Sequence, residues 1–161
     1  MKYFFACLIL MAVVGTSEIA IHPTVRQTQT AAAPVRNLHG RWRVKFNLSG
    51  IGEKNLIFDS QGEGSGSFLL LDTGVDGKPE SHPLAASWSQ TTNNRVSVSG
   101  EVELPLGTCC REIGTLIFKG EFNSNDVIAG KAIFITSTVD EENSNGFRST
   151  VGTFTAARVT Q

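Results

Sequence analysis

From Gly40 onward, apolar residues recur at every second position. Trp42, Val44, Phe46 and Leu48 alternate with Arg41, Arg43, Lys45 and Asn47, which puts one dry and one wet face on an extended chain. Gly50 and Gly52 turn the chain into a second strand over residues 54–60. Gln61-Gly62-Glu63 turns it again into a third over 64–71. Strands are predicted over 86–91, 95–104, 113–122, 127–139 and 147–159. The cleanest is 95–104, where Val96, Val98, Val102 and Leu104 point one way and Arg95, Ser97, Ser99, Glu101 and Glu103 the other. Gly100 falls on the apolar face, the place for a bend or a close backbone approach.

The connections carry Asn93-Asn94, Asn123-Ser124-Asn125-Asp126 and Asn143-Ser144-Asn145-Gly146. These residues accept left-handed backbone or bond back to it, so they suit hairpins rather than helix caps. Short links between successive strands make neighbours antiparallel. An open sheet of eight long strands would leave two bare edges, whereas a closed one leaves none. Only one long connection, 73–85, offers the crossover that a sandwich needs. The predicted fold is all-β, an eight-stranded antiparallel up-and-down barrel over residues 38–161.

The segments before the barrel set the expected compartment. Met1-Lys2 gives a positive start, Tyr3 to Val14 is apolar throughout, and Gly15-Thr16-Ser17 offers small residues for cleavage. That is the pattern of an export signal over 1–17. Its apolar stretch is shorter than the ~20 residues a membrane-spanning helix needs. Cys7 stands too early in the stretch to be a lipidation site. Residues 18–37, rich in Thr, Gln and Ala between Pro23 and Pro34, lack the apolar surface to offset the entropy of ordering and read as a flexible linker. The expected protein is secreted or periplasmic and does not span a membrane.

The chain of 161 residues carries 14 basic and 15 acidic side chains, a formal charge of −1. Removal of the signal takes Lys2 and brings this to about −2. Such a balance argues against a nucleic-acid partner, whose phosphates require a cationic face. Sixteen glycines and ten phenylalanines agree with a turn-rich β protein.

Gly40-Arg41-Trp42 at the start of the first strand and Arg158 near the end of the last resemble the calycin pattern of lipocalins and avidin-like proteins, in which a Gly-x-Trp opens the barrel. The resemblance implies that Trp42 closes one barrel end, with Arg158 stacked on it through a cation–π contact. A lipocalin has a helix after the barrel for which this chain leaves no room. The avidin-like length fits better, yet the Trp- and Tyr-rich biotin pocket is missing, with Trp42 and Trp88 the only tryptophans.

The mouth of a β-barrel is a recurrent ligand site. A small apolar or amphipathic ligand, or a protein partner at the open end, is the expected binding target, and Phe46, Phe58, Trp88 and Phe118 are the expected ligand contacts. No cofactor and no metal site is expected, because His22, His39 and His82 show no ligand spacing. A filled structural barrel of the cell envelope is an alternative. Another follows from Leu70-Leu71-Asp72-Thr73-Gly74, which resembles the active-site motif of aspartic proteases. With one copy per chain it would need a homodimer, so that two carboxylates share a proton. Asp-Thr-Gly is equally an ordinary end of a strand. Cys109 and Cys110 are adjacent, and three readings stand for them: a vicinal disulfide, thiols for a soft metal, or an intermolecular bridge. Asp140-Glu141-Glu142-Asn143 is a solvated loop tip or an oxygen-rich cation site. Asn47-Leu48-Ser49 matches the glycosylation tripeptide. The 73–85 connection is either a lid or a passive crossing. No Ser-His-Asp set or phosphate-binding glycine loop emerges, and the barrel is expected to be non-enzymatic.

Overall fold

A computed structural model describes residues 36–72, 78–91, 94–106, 110–139 and 145–160 of the chain. The segment 1–17 read as an export signal, the tract read as a linker up to residue 35, Thr73-Gly74, Cys109 and residues 140–143 lie outside the described residues. Eight strands follow one another: β1 (Gly40–Leu48), β2 (Gly52–Gly62), β3 (Ser65–Leu70), β4 (Leu84–Gln90), β5 (Arg95–Leu106), β6 (Cys110–Ser124), β7 (Val127–Val139) and β8 (Asn145–Arg158). Each pairs antiparallel with the next, and β1 pairs with β8 from Trp42↔Arg158 to Leu48↔Gly152. The sheet is therefore a closed up-and-down barrel with no free edge. Closure satisfies the backbone donors and acceptors that terminal strands would otherwise expose.

Several strands start earlier than expected, whereas β3 (Ser65–Leu70) is shorter than the expected 64–71 and β8 ends at Arg158 and not at 159. β6 begins at Cys110 rather than 113, because the ladder with β5 runs on through Pro105↔Arg111 to Leu106↔Cys110. Polar Arg111 and Glu112 hid this extension by breaking the alternation. β4 likewise starts at Leu84, opposite Phe68.

Period two sorts side chains as expected. Trp42, Val44, Phe46 and Leu48 of β1 are all buried, as are Val96, Val98, Val102 and Leu104 of β5. Phenylalanines from five strands meet at the centre. Phe118 lies 5.4 Å from Phe46, 5.9 Å from Phe68 and 4.9 Å from Phe154 between ring centroids, and Phe58 stands edge-on to Phe68 at 5.9 Å. Tilted and edge-to-face contacts of this kind add to the stabilisation from burial.

Glycine permits the close approach of neighbouring backbones. A Cβ on Gly152 would lie 1.7 Å from the Asn47 carbonyl oxygen, and one on Gly130 would lie 2.2 Å from that of Lys119. Gly100, on the inner face of β5, has the Ala85 carbonyl oxygen and the Phe68 ring in the same position. The wall can bend around its aromatic centre only where side chains are missing.

Candidate functional site

The structure brings Trp42 and Arg158 together at one end of the barrel. They are direct partners in the β1–β8 register, and the guanidinium carbon of Arg158 sits 4.3 Å from the Trp42 ring centroid. The buried indole donates from Nε1 to the Leu38 carbonyl at 2.9 Å. Arg158 donates from Nε to Asp126 at 3.0 Å, from Nη2 to the Asn37 carbonyl at 2.7 Å, and from Nη1 to the His39 carbonyl. One cation thus ties three segments over one ring. Leu38 fills the space beneath, 1% exposed, with its N–H bonded to Gln90 Oε1 at 3.0 Å. Arg36, inside the tract read as linker, donates to the Phe122 carbonyl at 2.7 Å.

Phe46, Phe58 and Phe118 are brought together in the interior, where they are packed against one another. The void that touches Phe58 and Phe118, bounded also by Leu38, Trp42 and Phe154, has a volume of about 10 Å³. That is no more than the space of one water. The rings themselves occupy the volume that a ligand among them would need. Trp88, opposite Val98 in the ladder, is half-buried and packs against the edge of this core. Its Nε1 donates to the Ser65 carbonyl at 2.8 Å, and His39 meets the indole edge-on at 5.3 Å.

Asp72 has a structural partner. Both carboxylate oxygens accept from the Asn55 backbone N–H at 3.0 Å, and Oδ2 accepts from Asn55 Nδ2 at 2.8 Å. The carboxylate therefore fastens the chain after β3 to the neighbouring strand β2. Cys110 lies at the start of β6, and its sequence neighbour lies outside the described residues. Among the described residues, no group of three His, Cys, Asp or Glu is placed to hold a metal ion, and no helix is long and apolar enough to cross a membrane.

The feature that sequence reasoning missed is on the outer wall of β6–β8. Ile117 of β6 faces Ile133 of β7, which faces Val151 of β8. These positions have outward parity, because Phe118, Ala132, Phe134 and Phe154 beside them point inward and are buried. Val151 is 51% exposed, and toward the far end of the same strands Ile113 is 64% and Phe147 80% exposed. The next outward row reads Ser97↔Lys119↔Lys131↔Thr153, with two lysines directly opposed. Ser97, Lys119 and Lys131 of that row line an open groove of about 540 Å³ that runs over β4–β7, together with Ser89, Arg95 and Glu121. The signal was present as two breaks in alternation, Leu116-Ile117-Phe118 and Ala132-Ile133-Phe134-Ile135. Such continuous apolar runs mark strands apolar on both faces.

Comparison with known proteins finds no matching family model, curated protein or solved structure.

Proposed function

We propose that this protein is an exported, non-enzymatic β-barrel binding module that takes a small amphipathic ligand on the outside of its wall, over β6–β8. The observation that carries the reading is the contrast between the two faces of those strands. The inner face closes on a void of about 10 Å³, whereas the outer face sets an Ile117–Ile133–Val151 row beside a groove of about 540 Å³ that extends from β7 back over β4–β6. That volume lies in the usual range of small-molecule sites, roughly 300–1,000 Å³. A row of half-buried Ile117 and Ile133 ending at exposed Val151, with a polar groove beside it, matches a molecule that is itself half apolar. Export is supported by Lys2 and the apolar stretch that follows it. The Gly40-x-Trp42 start with Arg158 over the indole supports a calycin-type barrel, one in which the ligand sits outside. A non-catalytic role is supported by Asp72, whose carboxylate is taken up by Asn55.

The test is amide chemical-shift mapping of the exported protein with dodecanol, a neutral amphiphile. Shifts should cluster on the outward residues around Ile117, Ile133 and Val151. An Ile133→Asp variant should lose affinity by roughly tenfold or more, since it removes most of one side chain's apolar contact, while its thermal midpoint changes little. Shifts centred on Phe46, Phe58 and Phe118, or no saturable binding, would overturn the proposal.

A further inference from the structure

We infer that the ligand of the outer wall is an anionic amphiphile whose carboxylate or sulfate group is held between Lys119 and Lys131, with its apolar chain along Ile117, Ile133 and Val151. The inference rests on the amphipathic-ligand reading above and adds the charge of the head group.

Several outward cations of the barrel meet carboxylates, although among the described residues Arg43, opposite Ile57, and Lys54 do not. Arg41 meets Asp59 at 3.0 Å, Lys45 meets Glu53 at 2.9 Å, Arg95 meets Glu121 at 2.9 Å and Arg158 meets Asp126 at 3.0 Å. Lys119 and Lys131 have no such partner among the described residues, and each is the direct cross-strand neighbour of the other. Like charges directly opposed across a ladder are destabilising. Three cations, Arg95, Lys119 and Lys131, line the groove against one carboxylate, Glu121, and Arg95 already holds that carboxylate. The groove therefore has two ammonium groups to offer a third party. Ser97 stands beside Lys119 in the same row and lines the same groove, adding a hydroxyl donor for an anion's remaining oxygens.

The apolar row lies two residues along the same strands, roughly 7 Å away. That separation sets the polar head and the start of the tail of a single-chain amphiphile on adjacent rows. Lysine stems suit this arrangement, because their methylenes lie over apolar surface while the charge reaches the head group. A polyanion or an anionic bilayer calls for a larger basic cluster than this pair provides.

The test compares dodecanoate, below its micelle-forming concentration, with dodecanol on the full exported protein by calorimetry. Dodecanoate should bind at least tenfold more tightly, and more weakly as salt rises. In the Lys119→Gln/Lys131→Gln double variant the preference of dodecanoate over dodecanol should vanish, the two affinities becoming equal. A thermal midpoint equal to or above that of the wild type would show the variant to be folded. Equal affinities for the two amphiphiles, unchanged in the double variant, overturn the anion inference and leave the amphiphile reading standing. Binding of neither overturns both. A third arm uses phosphatidylglycerol vesicles: lysine-dependent sedimentation with them but no dodecanoate binding would replace the single amphiphile with a lipid surface and overturn the inference as stated.

Discussion

Two walls of this barrel have the same inner face and opposite outer ones. On β1–β2 two outward cations meet carboxylates of the next strand, Arg41 the directly opposed Asp59 and Lys45 the diagonal Glu53, while Arg43 between them faces Ile57. Those side chains are largely exposed, with Arg41 and Lys45 each at 60%, so each pair contributes at most about 1 kcal/mol. Their effect is a soluble surface with the charges matched in place. On β6–β8 the equivalent positions hold isoleucine against isoleucine and lysine against lysine. Both walls close on the same phenylalanine cluster. The fold therefore constrains the inner face strongly and the outer face hardly at all.

That contrast holds only if folding rests on the interior the walls share. Phe118 touches Phe46 of one wall and Phe154 of the other, and it is 2% exposed. Phe118→Ala should cost about 3–5 kcal/mol, the range for deleting a fully packed ring, measured as a drop in the urea midpoint at constant slope. A loss below about 1 kcal/mol would mean the interior is loose, and the case for moving the ligand outside would fail.

The inner face was legible because it repeats. Two-residue alternation in β1 and β5 named Trp42, Phe46, Val98 and Leu104 before any geometry was known, and closure followed from the short hairpins. Whether the barrel is hollow was not legible in the same way. Phe46 and Phe154 reach one level only because β1 and β8 pair in that register, and Val98 faces Phe118 for the same reason. Filling is a sum over several strands at one height, and a linear sequence does not print heights. The outer wall was half legible. Leu116-Ile117-Phe118 shows that β6 is apolar on both faces, a pattern usual in strands covered on both sides. Only the single-sheet barrel shows that one of those faces meets solvent. Lys119 and Lys131 are ordinary surface lysines until the β6–β7 register sets them opposite each other.

The seam between the walls gives the next prediction. Arg158 joins β8 to Trp42 of β1 and to the carbonyls of Asn37 and His39. Its side chain is 24% exposed, so its loss strands carbonyls that water reaches only in part. Arg158→Ala should cost about 2 kcal/mol, in the range for charge-assisted bonds plus a stacked cation. Arg158→Lys should recover less than half of that, because an ammonium cannot reach the Trp42 face and several acceptors in a plane at once. Full recovery by lysine would show that charge alone closes this end. Hydrogen exchange at Leu38 and Trp42 should quicken in both variants, while exchange in the centre of β6–β7 stays as it was.

The smallest effects test the comparison most directly, because they exchange the two designs. Lys131→Glu gives Lys119 a carboxylate across the ladder, as Asp59 serves Arg41. It should raise stability by about 0.2–1 kcal/mol. Asp59→Lys sets a lysine against Arg41 and should lower stability by a similar amount. Both changes should shrink with added salt, since the sites are exposed and screened. The substitutions should differ in binding: Lys131→Glu abolishes dodecanoate affinity, whereas Asp59→Lys leaves it intact, being on the other wall. A protein stabilised by Lys131→Glu and yet stripped of its ligand would show that the lysine pair costs stability for the sake of function. If Lys131→Glu instead destabilises by more than about 0.5 kcal/mol, the pair has a structural duty. The mismatch on β6–β8 would then be one more way of folding a wall, and the difference between the walls would carry no functional meaning.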